Sequence, residues 1–232
     1  MLKIQQNGDL MRKFFGVLKK CALFREIREE DYSPMLSCFG AQPWHYDKGE
    51  VILGEGDPAE YVGIVLSGAV QVIRVDYYGN RSIMAKLGPA GIFAEAFACA
   101  GVPTMPVSVV AAEDTEILLL QSQRIIHSCG NACHFHNQMI HNLLQVVARK
   151  NLVCNQKIEI MSKRTTREKL MAYLLLEAKR AGGSSFSIPY DRQELADYLE
   201  VDRSGLSAEI SKLRKEGVLL CRKNEFTLLR EV

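Results

Sequence analysis

The chain has 232 residues, 47% of them hydrophobic and 24% charged, with 17 glycines and 7 prolines. This composition excludes a disordered, collagenous or mucin-like chain and supplies apolar material for one large core or two modest ones. The net charge of +2 indicates no partner, but it is unevenly spread: residues 1–125 hold 12 basic and 15 acidic side chains, residues 126–162 hold 3 and 1, and residues 163–232 hold 14 and 11. A mildly acidic front and a mildly basic back are compatible with a sensor joined to a polyanion-binding module. Two long stretches lack Asp, Glu, Lys and Arg, yet neither reads as a membrane span. Ala96 to Ala112 is broken by Gly101, Pro103 and Pro106, and Ile125 to Ala148 is crowded with His, Asn and Gln. No apolar signal run opens the chain, and seven cysteines are an odd, scattered set. The expectation is a cytoplasmic protein with reduced thiols and no membrane association.

From Trp44 to Leu120 short apolar runs alternate with turn residues. Val62, Ile64 and Leu66 recur at period two, as do Val70 with Val72, Ile83 with Ala85 and Leu87, and Val107 with Val109 and Ala111. Such runs place one face on a core and the other toward solvent. Breaks at Lys48-Gly49, Gly54 to Asp57, Ser67-Gly68, Gly79-Asn80 and Gly88 to Gly91 carry turn chemistry, and many short strands at this spacing predict an antiparallel roll or barrel. The stretch Gly91 to Ala98 interrupts the pattern as a short alanine-rich helix with Glu95 in its first turn. Its N-terminus is a candidate anion site with a carboxylate beside it.

From about His134 to Met161 no proline or glycine intervenes, and Ile140, Leu144, Val147, Asn151, Cys154, Ile158 and Met161 recur at spacings of four and three. That is a heptad seam with one polar position, Asn151, able to fix register between two copies of the chain. At about 1.5 Å per residue such a helix spans roughly 42 Å, enough to link two domains. Just before it, Cys129, Cys133, His134 and His136 are soft-metal ligands by type, although Cys-x3-Cys-His-x-His matches no standard zinc spacing. Metal or thiol-redox sensing at these four residues is the alternative reading.

Beyond residue 163 the sequence is most specific. Thr165 to Glu168 and Asp191 to Glu194 read as capping boxes, and Gly182-Gly183 ends the first of the two helices they open. A tight break at Glu200-Val201 precedes Asp202, which caps a helix from Arg203 to Glu216 closed by Gly217. Leu195, Leu199, Val201, Leu206, Ile210 and Leu213 form the predicted buried side, with Ala196 small enough for a close helix crossing. Arg203, Ser204, Ser207, Ala208, Ser211 and Lys212 lie on the opposite face. A brace helix, a tight turn and a capped second helix are the helix-turn-helix layout, and Val218 to Leu220 with Phe226 to Leu229 add a two-stranded wing.

The stretch from Lys48-Gly49-Glu50 through Ser67-Gly68 to Phe93-Ala94-Glu95 resembles the cyclic-nucleotide-binding roll of the Crp/Fnr family of bacterial transcription regulators. Arg192 to Ala196, Asp202 to Ser204 and Gly217 to Leu219 resemble that family's winged helix. The resemblance covers about residues 20 to 230. It implies that Glu95 matches a ribose-contacting glutamate, while Ala94 replaces a glycine and Met105 and Pro106 stand where cyclic-AMP readers carry an Arg-Ser pair. A buried phosphate without an arginine is poorly compensated, so a more apolar or differently charged effector is expected, near Phe93, Ala94, Glu95, Ala96, Val107 and Ser108. The resemblance also implies that Arg192 and Gln193 touch phosphate and that Arg203, Ser204, Gly205, Ser207, Ala208 and Lys212 line the DNA-reading surface.

The expected fold class is α+β. Residues 1–125 form an effector-sensing antiparallel β-roll with N-terminal helices, 126–162 a dimerisation helix and 163–232 a winged helix-turn-helix. The expected protein is a homodimeric regulator of a palindromic operator, with RNA polymerase as a partner, an unidentified small effector, and neither a resident metal nor a cofactor. A cupin-like metalloenzyme is the remaining alternative. It would need several imidazoles inside the roll, and residues 1–126 hold only His45, so no enzymatic activity is expected.

Overall fold

The computed structural model describes residues 2–3, 12–127 and 134–229. By its contacts the chain divides into two compact units, Met1–Arg74 with Ala85–Asn151, and Val75–Met84 with Leu152–Val232.

The first unit opens with β1 (Leu2–Lys3), α1 (Phe15–Leu18) and α2 (Tyr32–Cys38), followed by β2 (Gln42–Tyr46), β3 (Val51–Leu53), β4 (Tyr61–Ser67), β5 (Val70–Val75) and β6 (Arg81–Leu87). Next come β7 (Ile92–Phe93), α3 (Glu95–Ala100), β8 (Ser108–Ala111), β9 (Thr115–Gln121) and α4 (Ser122–Ile126), and then the long α5 (His134–Met161). Two antiparallel sheets, ordered β1-β2-β9-β4-β7 and β3-β8-β5-β6, form the roll. Between them lies an apolar interior that includes Tyr46, Leu53, Val65, Val70, Phe93, Met105, Val107, Val109 and Ile117.

The expectation of one dry and one wet strand face fails at the centre of this sheet. Val62, Ile64 and Leu66 of β4, with Leu118 and Leu120 of β9, point into a second core shared with Leu18, Phe24, Met35, Phe39, Phe135, Met139, Leu143 and Val146. The helices α1, α2 and the first half of α5 cover the outer face, so β4 and β9 are buried on both sides. Asn142 is buried among them and donates to the carbonyls of Leu23 (2.8 Å) and Arg25 (2.7 Å), which satisfies a polar turn inside an apolar layer.

In the second unit, α6 (Thr166–Ala181) begins on a complete capping box and ends at Gly182, whose φ of 69° only glycine adopts without strain. Then follow β10 (Ser185–Ser187), α7 (Arg192–Leu199), α8 (Arg203–Lys215), β11 (Leu219–Arg222) and β12 (Glu225–Leu228). The wing has three strands, in the order β10-β12-β11, where the sequence indicated two. β10 pairs Phe186 with Phe226, whose rings stack at 6.4 Å. Among the described residues no helix is long and apolar enough to cross a membrane.

Candidate nucleic-acid interface and sensor region

The brace helix α7 starts on the second capping box: Asp191 accepts from the Glu194 amide at 2.8 Å, and Glu194 accepts from the Asp191 amide at 2.9 Å. It stops because Glu200 turns left-handed (φ 52°), and the Lys169 ammonium donates to the freed Leu199 carbonyl at 3.2 Å. Asp202 then caps α8 by accepting from the Gly205 amide at 2.8 Å. Those amide and hydroxyl donors hold its carboxyl below the usual aspartate range, with the Ser204 hydroxyl the strongest of them.

Leu206, Ile210 and Leu213 are buried against Leu195, Ala196 and Leu199. A bidentate pair from Arg167 to Glu216 (3.1 and 2.6 Å) ties the start of α6 to the end of α8. The opposite face of α8 is open: Arg203, Ser204, Ala208, Ser211 and Lys212 are exposed, and Gly205 and Ser207 are half-buried. Of these, Ser204 is engaged by Asp202, and Ser211 donates to the Ser207 carbonyl at 2.9 Å.

Gln193 is exposed and donates to Asp197 at 2.8 Å. Arg192 is half-buried, with one guanidinium nitrogen 3.3 Å from the Cys221 sulfur and its charge 5.9 Å from the Phe226 ring centre. It therefore braces the wing, a role that the sequence did not indicate.

In the roll the six candidate effector residues differ in exposure. Phe93, Ala94 and Val107 are part of the packed roll interior, and Met105 is buried beside them. The tip of the Phe93 ring lies against Gly63, where a Cβ would stand 2.1 Å from its Cζ. Ala94 sits left-handed at φ 62° and Ala96 is exposed, while Ser108 accepts from the Glu55 amide at 3.0 Å. Glu95 is buried, with its carboxylate 2.8 Å from the ammonium of Lys150 on α5. The same ammonium donates to the Ile92 carbonyl. The short helix thus presents its first-turn carboxylate to α5. Nothing in local sequence pattern pairs residues 95 and 150, so this contact was missed.

The seam of α5 remains uncovered. Leu144 and Ile158 are 68% and 65% exposed, Asn151 and Cys154 are exposed as well, and Ile140 and Val147 are only partly covered. Leu152 and Val153 widen this stripe.

The alternative metal or redox cluster fares differently. Cys129 and Cys133 lie outside the described residues, as does the side chain of His134. His136 is buried edge-on to Phe39 at 4.9 Å, with Nε2 at 2.8 Å from the Arg124 carbonyl. That is the environment of a structural histidine, and it gives the cluster no support.

Comparison with known proteins agrees with this geometry. Residues 43–129 match the family model described as a cyclic nucleotide-binding domain, and residues 168–231 match the Crp-like helix-turn-helix domain. The chain is 29% identical to the cyclic AMP receptor protein of Thermus thermophilus, over 87% of this chain and 89% of that one. It is 22% identical to the transcriptional activator FnrL of Cereibacter sphaeroides, over 75% and 71% of the two chains. The structure of FixK2 from Bradyrhizobium japonicum superimposes with a TM-score of 0.65 at 25% identity, covering 82% of this chain and 93% of that one. FnrL is named as a transcriptional activator, which points away from an enzyme. Two family models, a cyclic nucleotide-binding domain followed by a Crp-like helix-turn-helix, on a roll and a winged helix of the matching topology, place this chain in the Crp/Fnr family of DNA-binding transcription regulators.

Proposed function

We propose that the protein works as a homodimer on a twofold-symmetric operator and that a small molecule acting on the roll sets its affinity for DNA. The observation that carries the dimer is on α5. Its inner face is buried by Phe135, Met139, Leu143 and Val146, while the face carrying Ile140, Leu144, Val147, Asn151, Cys154 and Ile158 stays open. A stripe of large apolar residues at heptad spacing on a helix that has already satisfied its own domain fits a second copy of itself. Asn151 at one seam position favours a single register. On DNA, Arg203, Ser204, Gly205, Ser207, Ala208 and Lys212 of α8 face the major groove, while Gln193 and the free donors of Arg192 meet phosphate. The two reading helices then address half-sites about 34 Å apart.

The relative from Thermus thermophilus is named for cyclic AMP, but this chain departs from that chemistry. Met105 is buried in the roll where a phosphate would need an arginine, and Glu95 is already neutralised by Lys150. The reading favours a more apolar or differently charged effector, with Glu95 available to it only if Lys150 is shared or displaced. The thiols are those of a reduced cytoplasm, RNA polymerase is the downstream partner, and no step is chemical. An effector shifts the equilibrium by binding one state better than the other.

Sedimentation of the purified chain, followed by titration with promoter fragments at several salt concentrations, tests this function. A dimer whose affinity falls steeply with salt is expected. A monomer with no salt-sensitive retention of DNA contradicts it. Native mass spectrometry of the protein as purified would identify the effector class directly.

A further inference from the structure

The hairpin formed by β5 and β6 belongs to the roll in sequence, yet its tip, Val75–Met84, packs as part of the DNA-binding unit. One side chain of α5 reaches it. Lys157, in the second half of α5, is half-buried, and its ammonium donates to the Ile83 carbonyl at 2.7 Å and reaches the Met84 carbonyl at 3.5 Å. The same nitrogen stands 4.2 Å above the ring of Tyr198 on the brace helix α7. Tyr198 is itself held by stacking on Tyr190 (4.7 Å) and by Tyr173 (5.3 Å). A single cation carried by the long helix therefore touches both the hairpin and the brace helix. Its acceptors are neutral carbonyls and a π-face, with no carboxylate at ion-pair distance among the described residues. That is an unusual place for a strongly hydrated ammonium, and its contacts to the hairpin carbonyls and the Tyr198 ring are what offset its lost water.

We propose that Lys157 is a positioning residue that fastens the tip of the β5–β6 hairpin to the brace helix of the DNA-binding unit. The chemistry gives the link a signature. Burial holds the Lys157 amine down at about 8, against the partial support of Glu200 at the end of α7 and Cys154 on α5 itself. Tyr198, the other titratable group against it, is pushed up by its own burial. When the hairpin lifts away, the amine returns to water and to the ordinary lysine value near 10.4. The fastened state therefore binds its proton less tightly than the released one, so raising the pH through 8 strengthens the link. Between pH 7 and pH 9 the ratio of fastened to released forms should rise about tenfold.

Hydrogen exchange of the full-length protein at these two pH values, corrected for intrinsic amide rates and followed by peptide mass spectrometry, tests the proposal. In the native sequence, protection of peptides covering residues 75–84 and 192–200 should rise together by about tenfold. Lys157→Arg keeps donors and a cation that does not titrate in this range, so it should hold the hairpin yet lose the pH response. Lys157→Met keeps the stem without the donors and should lower protection in both peptides at pH 7 by about tenfold or more. A pH response that persists in Lys157→Arg would overturn the proposal, as would protection within twofold of native in Lys157→Met. If Lys157→Met does not fold, the arginine variant alone decides.

Discussion

Replacing Lys150 with methionine should expose how strongly the roll is tied to α5. The Glu95 carboxylate is 3% exposed and sits 2.8 Å from the Lys150 ammonium, which is 37% exposed. Two unit charges about 4 Å apart attract by about 4 kcal/mol at an effective dielectric near 20. Removing one partner of a fully buried pair costs about 3–5 kcal/mol, chiefly because a charge is left without compensation. Here the lysine side is partly wet, so water can reach the vacated carboxylate and the expected cost is about 2–3 kcal/mol. Urea unfolding followed by the fluorescence of Trp44, the only tryptophan, reports on this unit because that residue lies on β2 of the roll. Combining Lys150→Met with Glu95→Gln removes the stranded charge, so the double variant should recover part of the loss and show a coupling of about 2 kcal/mol. The reasoning is wrong if Lys150→Met costs less than about 0.5 kcal/mol, or if the two substitutions are simply additive.

Further outcomes follow from other parts of the molecule. Gly63→Ala drives a methyl into the Phe93 ring and should cost about 1–3 kcal/mol in the same unfolding assay, whereas a neutral effect would mean that the ring is free to move aside. Leu144→Glu places a charge on the open seam and should shift sedimentation from dimer to monomer, leaving the melting of the roll nearly unchanged; a dimer of native affinity would locate the interface elsewhere. Arg203→Ala should weaken specific DNA binding by about 1–3 kcal/mol, as read by fluorescence anisotropy against an unrelated duplex of equal length. An equal loss on both duplexes would make Arg203 a phosphate contact and not a base reader.

The parts of the fold that the sequence announced are those governed by local chemistry. Both capping boxes, the glycine stop at Gly182 and the Asp202 cap follow from side chains within a few positions of one another, and α6, α7 and α8 lie where those signals put them. The heptad pattern marks α5 and its uncovered stripe for the same reason. Contacts between distant segments were not legible. The double burial of β4 depends on helices from both flanks of the roll, and β10 joins the wing through a pairing some forty residues away in sequence. Arg192 illustrates the limit at the reading surface: the family resemblance implies a phosphate contact for it, but only the folded chain brings Cys221 and Phe226 to its guanidinium. Likewise Glu95 was singled out as an effector contact from its place in a short helix, and its pairing with Lys150 could be seen only once α5 was packed against the roll.

Selection of bound duplexes from a random library by the full-length protein addresses the central claim most directly. The expected product is a twofold-symmetric motif with half-sites about one helical turn apart, bound by two chains per duplex. Enrichment of no sequence at all, or of a single asymmetric site bound by one chain, would contradict a paired reading head on a common stalk.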